Sequence, residues 1–554
     1  MKKRTLLNYC GLATALIILL ASCEKNDGEI ILSTTDMAEL SSVTNQSLDI
    51  TFETTTTWKA RCTANWLTFS PKSGEAGRNT ITISTTSTNR TKSKRTAHLT
   101  IESGGTQKTI SVKQRGEYAI FDTDELNFPS DGATFKVGFR TNLESDQLLL
   151  YATVGLDEWI KDTESDARTR SEYTGEIYPL RALPNESTKA RDGAMFFVMK
   201  DQDGNLLGLD TLFVYQEGRD PGYLSSDYSA DGKVELLNKA TEGKGIPIVM
   251  MGDGFIDQEI ADSTYARTMQ QAMENLFSEE PIRSLRDYFN VYQVTAVSPR
   301  NRFDGISSTA FGTVPDRQTM GIDVDAKAVM KYIKKVENID SLNTLAVVIL
   351  NTNLSRGVTY MMGSNKIDYN YSIALCPVID SLKSETFRQV LTHEAVGHGF
   401  AKLADEYVRS TEGSATEDDI KRLKELHEKW AWFMNVDSEK DSTKVIWTQF
   451  IYDPEFVNEQ ISAYEGGYTF FKGVYRPTQE SMMRSNNAPF NAPSRQAIYN
   501  KVMQLGLGKN PSYEEFVAFD QQHKPTVWTY QSRTRSNGWG EWLHPAPPRI
   551  IWRP

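Results

Sequence analysis

One stretch limits what this chain can be more than any other: Leu391 to Tyr407, which reads LTHEAVGHGFAKLADEY. The chain has six histidines, and two of them, His393 and His398, fall here with Glu394 beside the first. The segment reads as a helix, with Ser384 as its cap and Phe387, Val390 and Leu391 at helical spacing on one apolar face. The common H-E-x-x-H zinc pattern sets its histidines about 40° apart around a helix axis. Here the spacing is H-E-x-x-x-H, five residues, which in an ideal α-helix separates the rings by about 140°. A π-bulge absorbs one extra residue in a turn and repairs this, and Gly397 tolerates the distorted backbone. Zinc needs a third protein ligand and an open position for water. A turn over Ala401–Ala404 returns either Asp405 or Glu406 to the metal. Zinc lowers the pKa of its water to about 7 and polarises a carbonyl, while Glu394 takes the water proton and returns it to the leaving amine. Tyr407 is placed to hydrogen-bond a ligand or the oxyanion. The plain alternative is a core helix with one buried and one capping histidine, and the Asp405-Glu406 pair weighs against it.

The longer spacing resembles the helix of the dipeptidyl peptidase III family, which still binds zinc. The whole run is similar to the active-site helix of the M64 family, the IgA-peptidase-like metallopeptidases, whose pattern is close to HE-x-GH-x-F-x-x-L-x-DEY. His393, Glu394, Gly397, His398, Phe400, Leu403, Asp405, Glu406 and Tyr407 stand in the matching places, with one inserted residue before the glycine. The resemblance implies Zn2+ as cofactor, His393 and His398 as ligands, Glu394 as catalytic base and an acidic third ligand, for which Asp405 is preferred to Glu406. Gly252-Asp253-Gly254 after an apolar strand resembles the turn that opens such domains. Ser481-Met482-Met483-Arg484 and Phe490 to Arg495 resemble their distal part, with Met483 implied as a methionine turn beneath the zinc or, equally, as core packing.

The N-terminus reads as a targeting segment. Lys2, Lys3 and Arg4 precede a short apolar run from Cys10 to Leu20, and Leu20-Ala21-Ser22-Cys23 looks like a bacterial lipobox. Residues 1–22 would then be the signal peptide, Cys23 the lipidated residue and 23–30 a polar tether to the outer membrane, on its surface or periplasmic face. Only Cys62 and Cys376 remain after processing, both read as small buried hydrophobes rather than a disulfide. A net charge of −11 with no long basic run argues against nucleic acid.

Residues 31–116 alternate apolar and hydroxyl side chains in short strands, as in Leu48 to Phe52, Thr80 to Ile83 and Thr109 to Val112, and read as a β-sandwich. Trp58, Asn65-Trp66-Leu67, Ser70-Pro71 and the closing Val112-Lys113-Gln114-Arg115-Gly116 resemble the BACON domain of Bacteroidetes-type lipoproteins. That name implies carbohydrate or mucin binding; Trp58 and Trp66 are read as core. Val214 to Gly218 echoes Val112 to Gly116, and Glu158-Trp159-Ile160 echoes Asn65 to Leu67, so 117–218 is expected to be a second BACON-like sandwich. Asp201 to Asn205 begins like a calcium loop but has Leu212 where a bidentate glutamate belongs, and is read as a hairpin turn. A linker comes next at 219–235, and 236–554 is the peptidase domain, where strands alternate with helices.

Within that domain Ile246 to Met251, Phe289 to Ala296 and Leu345 to Leu350 read as strands and Tyr265 to Phe277 as a helix. Thr359–Gly363 and Ser372–Cys376 read as short apolar strands, either an edge strand that pairs with a peptide substrate or ordinary strands of the sheet. A helix over Thr416 to Lys429 turns Ile420, Leu423 and Leu426 inward and leaves His427 exposed; residues from Gly506 onward wrap the surface; His523 and His544 lack ligand spacing. The expectation is two all-β immunoglobulin-like sandwiches followed by an α/β zincin-like metallopeptidase domain. It acts on a protein or glycoprotein substrate, with immunoglobulin- or mucin-like substrates implied by family alone. Its rivals are a carbohydrate-binding surface lipoprotein with a degenerate peptidase domain and a zinc hydrolase of non-peptide bonds.

Overall fold

The computed structural model describes residues 28–553 apart from 34–36, 63, 90–93, 117, 142, 144–147, 154, 163–177, 201–205, 220–221, 305–307, 317–320, 355, 365–369, 410–413 and 526–546. The signal segment, Cys23, His544 and the Asp201–Asn205 turn lie outside the described residues. The chain forms two compact units: Met1–Ala38 with Ser47–Ile83 and Thr96–Lys113, and Glu39–Gln46 with Ser84–Arg95 and Gln114–Pro554.

The regular elements of the first unit are all β among the described residues. Ile30–Leu32, Ser47–Thr54, Gly77–Thr85 and Leu67–Ser70 form one sheet in that order. Trp58 is buried and sits edge-on to Phe52 with ring centroids 4.9 Å apart. Trp66 is buried too, so neither tryptophan is a surface platform. Cys62 is half-buried rather than buried, and Cys62 and Cys376 are both free.

The second unit opens with another set of β-sheets. Glu125–Phe128, Leu206–Gln216, Arg191–Lys200 and Leu148–Ala152 form its four-stranded sheet. Arg191–Lys200 and Leu206–Gln216 pair antiparallel up to Lys200↔Leu206. The echo between the two sequence repeats is also an echo of side-chain chemistry. Arg95 Nε donates to Gln114 Oε1 at 2.6 Å and Asn89 Nδ2 to the Arg115 carbonyl at 3.0 Å. Correspondingly, Arg191 Nε donates to Gln216 Oε1 at 2.8 Å and Asn185 Nδ2 to the Glu217 carbonyl at 3.0 Å.

The α/β region next in the chain is built on a seven-stranded sheet. Its order is Val234–Asn238, Phe289–Val294, Ile246–Asp253, Leu345–Leu350, Ser372–Pro377, Val358–Ser364, Arg549–Arg553. Phe289–Val294, Ile246–Asp253, Leu345–Leu350 and Ser372–Pro377 are mutually parallel. Leu345–Leu350 and Ser372–Pro377 are buried throughout, as expected of parallel strands covered on both faces. Helix Thr264–Leu276 and the His393 segment pack on one face with Met250, Val347 and Ala374; helix Ala326–Ile333 packs on the other with Val249 and Val348. Gly254 has φ +78, so the chain leaves the central strand through a conformation that only glycine adopts freely. Asp253 before it is buried and accepts from Phe311 N at 3.0 Å and the Thr313 hydroxyl at 2.5 Å.

Three expectations are corrected. Ser372–Pro377 is interior to the sheet, and Val358–Ser364 is not a free edge: Arg549–Arg553 pairs with it in parallel from Tyr360↔Arg549 to Ser364↔Arg553. Only Val358 and Thr359 of that strand lie ahead of this pairing. The C-terminal segment therefore completes the sheet instead of merely wrapping it; its Trp552 stacks on Trp432 at 5.5 Å. Finally, Thr416 caps helix Glu417–Trp430 as expected, but Ile420 and His427 are half-buried, and His427 Nε2 lies 3.2 Å from the Phe433 carbonyl.

Candidate metal centre

Ser384 caps helix Glu385–Leu391, its hydroxyl accepting from Phe387 N at 3.1 Å, and Phe387, Val390 and Leu391 are buried. From Thr392 to Phe400 the helix widens to π geometry. Its i→i+5 bonding brings residues five apart onto one face, which is what the H-E-x-x-x-H spacing requires. The two glycines permit close packing rather than unusual dihedrals. A Cβ on Gly397 would sit 2.3 Å from Met483 Sδ, and one on Gly399 would sit 2.6 Å from Leu345 Cδ1 of the sheet. Lys402, left-handed with φ 57, closes the helix, and Leu403 N bonds back to the Gly397 carbonyl at 2.9 Å. This turn delivers Asp405.

The result is a buried convergence of three donors. His393 Nε2 and His398 Nε2 are 3.0 Å apart, and Asp405 Oδ1 is 3.1 Å from the first and 3.2 Å from the second. Nδ1 of His393 faces the Met482 carbonyl at 2.9 Å, and Nδ1 of His398 faces the Leu403 carbonyl at 2.8 Å. A carbonyl only accepts, so each Nδ1 donates, and in the neutral rings both Nε2 atoms carry a bare lone pair aimed at the same point as the carboxylate. Such an arrangement repels itself unless a positive charge lies among the three atoms, either a metal ion or, without one, a proton that His393 shares with Asp405. Donors held at about 2.0–2.1 Å by a tetrahedral zinc stand about 3.3 Å from one another, close to what is found. Backbone carbonyls fixing the far ring nitrogens are the usual support for imidazole ligands. The donor set fits zinc, and these three residues are the cluster able to hold a metal among the described residues.

The local field agrees. Burial disfavours the His393 imidazolium, yet the hydrogen bond to Asp405 and its charge raise the ring to about 9. Burial likewise opposes ionisation of Asp405, but His398 and His393 outweigh it and hold the carboxyl below the usual carboxylate range. Glu394 is buried beside them; burial raises its carboxyl, opposed by His398, His393 and the Thr359 hydroxyl. That hydroxyl lies 2.8 Å from Glu394 Oε2. Tyr407 is buried next to Asp405.

Glu406 plays a different part from its neighbour. Both its oxygens are within 3.0 Å of Asn491 Nδ2, Oε1 accepts from Asn435 Nδ2 at 2.9 Å and Oε2 from the Ser481 hydroxyl at 2.7 Å. Its backbone N–H bonds the Met483 carbonyl at 2.8 Å. Glu406 thus ties together the segments that support the centre. Asn435 went unnoticed in the sequence, where an isolated asparagine carries no spacing signal, and Asn491 stood there only within the Phe490 to Arg495 run, with no role of its own. His427 and His523 are far from this cluster in their bonding; Nδ1 of His523 lies 3.0 Å from the Ser284 hydroxyl.

A buried His-His-carboxylate cluster with an adjacent glutamate, set against a mostly parallel sheet, is a donor set able to hold a metal ion. Residues 234–453 match the model of the IgA Peptidase M64 family, and residues 56–115 match that of BACON, a putative N-terminal binding domain. The M64 match ends before Met482, Met483 and Asn491, which complete the centre. No curated protein matches the chain. Among solved structures, a Bacteroides ovatus GH5 xyloglucanase is 19% identical over 18% of this chain and 22% of its own, with a TM-score of 0.15. An I-band fragment of titin is 9% identical over 40% and 72%, at 0.17. The sialic acid binding region of a Streptococcus sanguinis adhesin is 10% identical over 41% and 82%, at 0.14. The chain spans about a fifth of the xyloglucanase, and scores this low carry no inference about activity.

Proposed function

We propose that the chain is a zinc-dependent endopeptidase acting on extracellular proteins, with His393, His398 and Asp405 as ligands and Glu394 as general base. The observation that carries this reading is the convergence of two lone-pair-bearing imidazole nitrogens and one buried carboxylate oxygen, with Glu394 alongside, in a domain of a peptidase family. Zinc held there supplies a water of pKa about 7 and a Lewis acid for the scissile carbonyl. Glu394, kept in place by Thr359, takes the proton of the attacking water and passes it to the leaving amine.

The β-regions are read as BACON-type immunoglobulin-like sandwiches and the α/β region as zincin-like. Lipidation at Cys23 would tether the mature chain to the outer membrane; among the described residues no helix is long and apolar enough to cross a membrane. Immunoglobulin- or mucin-like glycoproteins are the proposed substrates, with carbohydrate contact through the sandwiches. A binding protein with a degenerate peptidase domain would need a malformed centre or an aromatic surface. The intact donor set and the buried Trp58 and Trp66 favour the enzyme.

The test is casein cleavage by the purified chain beside Glu394→Ala. Cleavage that disappears in the variant while zinc stays bound supports the proposal. Equal cleavage by both proteins removes Glu394 from its role.

A further inference from the structure

The second β-region meets the α/β region through several contacts, one of which is a buried ion pair. Arg356 and Asp192 form an ion pair in which the side chains are 3% and 4% exposed. Asp192 lies on Arg191–Lys200, opposite Tyr215 of the neighbouring strand, and Arg356 enters a crevice lined by Glu125, Asn127, Asp192 and Tyr215. Arg191 makes a parallel bridge to Asn353, whose side-chain oxygen accepts from Asp380 N at 2.6 Å. Ala190 and Tyr215 belong to the same apolar cluster as Phe303, Leu354 and Val358 of the α/β region. The apolar layer on that face of the sheet therefore continues into the β-region.

Immediately after Arg356 the chain forms the wall of the metal centre. A Cβ on Gly357 would lie 2.6 Å from Glu394 Cγ, so backbone and glutamate are in direct contact there. Two residues on, the Thr359 hydroxyl bonds Glu394. Two residues, Gly357 and Val358, thus separate a buried ion pair anchored in the β-region from the hydrogen bond that holds the general base.

We infer that the second β-region is a positioning element of the centre: Asp192, through Arg356, holds the Gly357–Thr359 backbone against Glu394. This rests on the peptidase reading of the site. A buried guanidinium needs an anion, and its planar fork fixes direction as well as distance, so the pair sets where this backbone runs. Misplacement of a base by about 1 Å can cost on the order of 100-fold in rate.

The experiment compares the full zinc-loaded chain with Asp192→Asn, which keeps shape and removes charge, and Asp192→Glu, which keeps charge. The readouts are zinc content, kcat and KM on casein, and hydrogen exchange of peptides covering 356–364. For Asp192→Asn we expect unchanged zinc, kcat lower by about 10- to 100-fold, KM within about twofold and faster exchange at 356–364. Asp192→Glu should recover most of the activity, and it carries the comparison if the asparagine variant does not fold. A variant that is merely less heat-stable, with unchanged kcat and exchange, overturns the inference. If the wild type binds zinc but cleaves nothing, the peptidase reading fails, and the exchange difference alone decides whether the coupling exists.

Discussion

Replacing Gly397 by alanine tests how the π-helix and the methionine segment fit together. The new Cβ would stand 2.3 Å from Met483 Sδ and 2.8 Å from its Cε, with Phe490 Cε1 at 3.6 Å behind. Met483 is fully buried, so the sulfur has little room to withdraw. Overpacking of this kind costs about 1–3 kcal/mol, while alanine in a helix returns about 0.5–1 kcal/mol relative to glycine. The net expectation is a loss of up to about 2.5 kcal/mol, centred near about 1 kcal/mol. The displacement also reaches the Met482 carbonyl, which fixes His393. Loss of such outer partners typically weakens metal binding by about 10- to 100-fold. Urea unfolding of the metal-free protein gives the first number and competition with a chelator the second. In a double-mutant cycle, Gly397→Ala with Met483→Ala should be more stable than the sum of the single losses, because the shorter side chain removes the clash. Simple additivity, or wild-type zinc affinity in Gly397→Ala, would refute the packing argument.

Glu406→Gln sets an amide donor against the amide of Asn435 or Asn491; we expect about 1–3 kcal/mol lower stability by urea unfolding and weaker zinc binding, in a residue that is not itself a ligand. Thr359→Val removes the hydroxyl on Glu394 and should lower kcat about tenfold with zinc retained, measured on casein. Asp257 accepts from Asp227 N, Ser226 N and the Tyr223 hydroxyl, which hold its carboxyl down at about 2 and pin residues 223–227. A depressed carboxylate stabilises the fold above its unfolded pKa of about 4 and ceases to as pH falls through about 2. The stability gap between wild type and Asp257→Asn should therefore be full at neutral pH and shrink between about pH 4 and 2, tracked by urea midpoints across that range.

What could be read in the sequence was what is local. The cap at Ser384, the buried face of Phe387, Val390 and Leu391, and the apolar run Leu345–Leu350 each declare themselves within a few residues. The H-E-x-x-x-H spacing called for a π-bulge, and a π-helix spans Thr392–Phe400. Pairings between distant segments left no such trace. Arg549–Arg553 joins a strand nearly two hundred residues earlier, so an edge that looked open is largely covered. Asp192 and Arg356 are 164 residues apart, and neither stands in a pattern that singles it out. The choice between Asp405 and Glu406 could not be made from spacing, because it depends on where Asn435, Ser481 and Asn491 bring their donors.

Zinc K-edge X-ray absorption on the purified chain bears most directly on the ligand set. His393, His398 and Asp405 predict one zinc per chain with two imidazole nitrogens and oxygen ligands at about 2.0–2.1 Å, reduced to weak or absent zinc in Asp405→Ala. Sulfur at about 2.3 Å, a single imidazole, or full zinc occupancy in Asp405→Ala would contradict it.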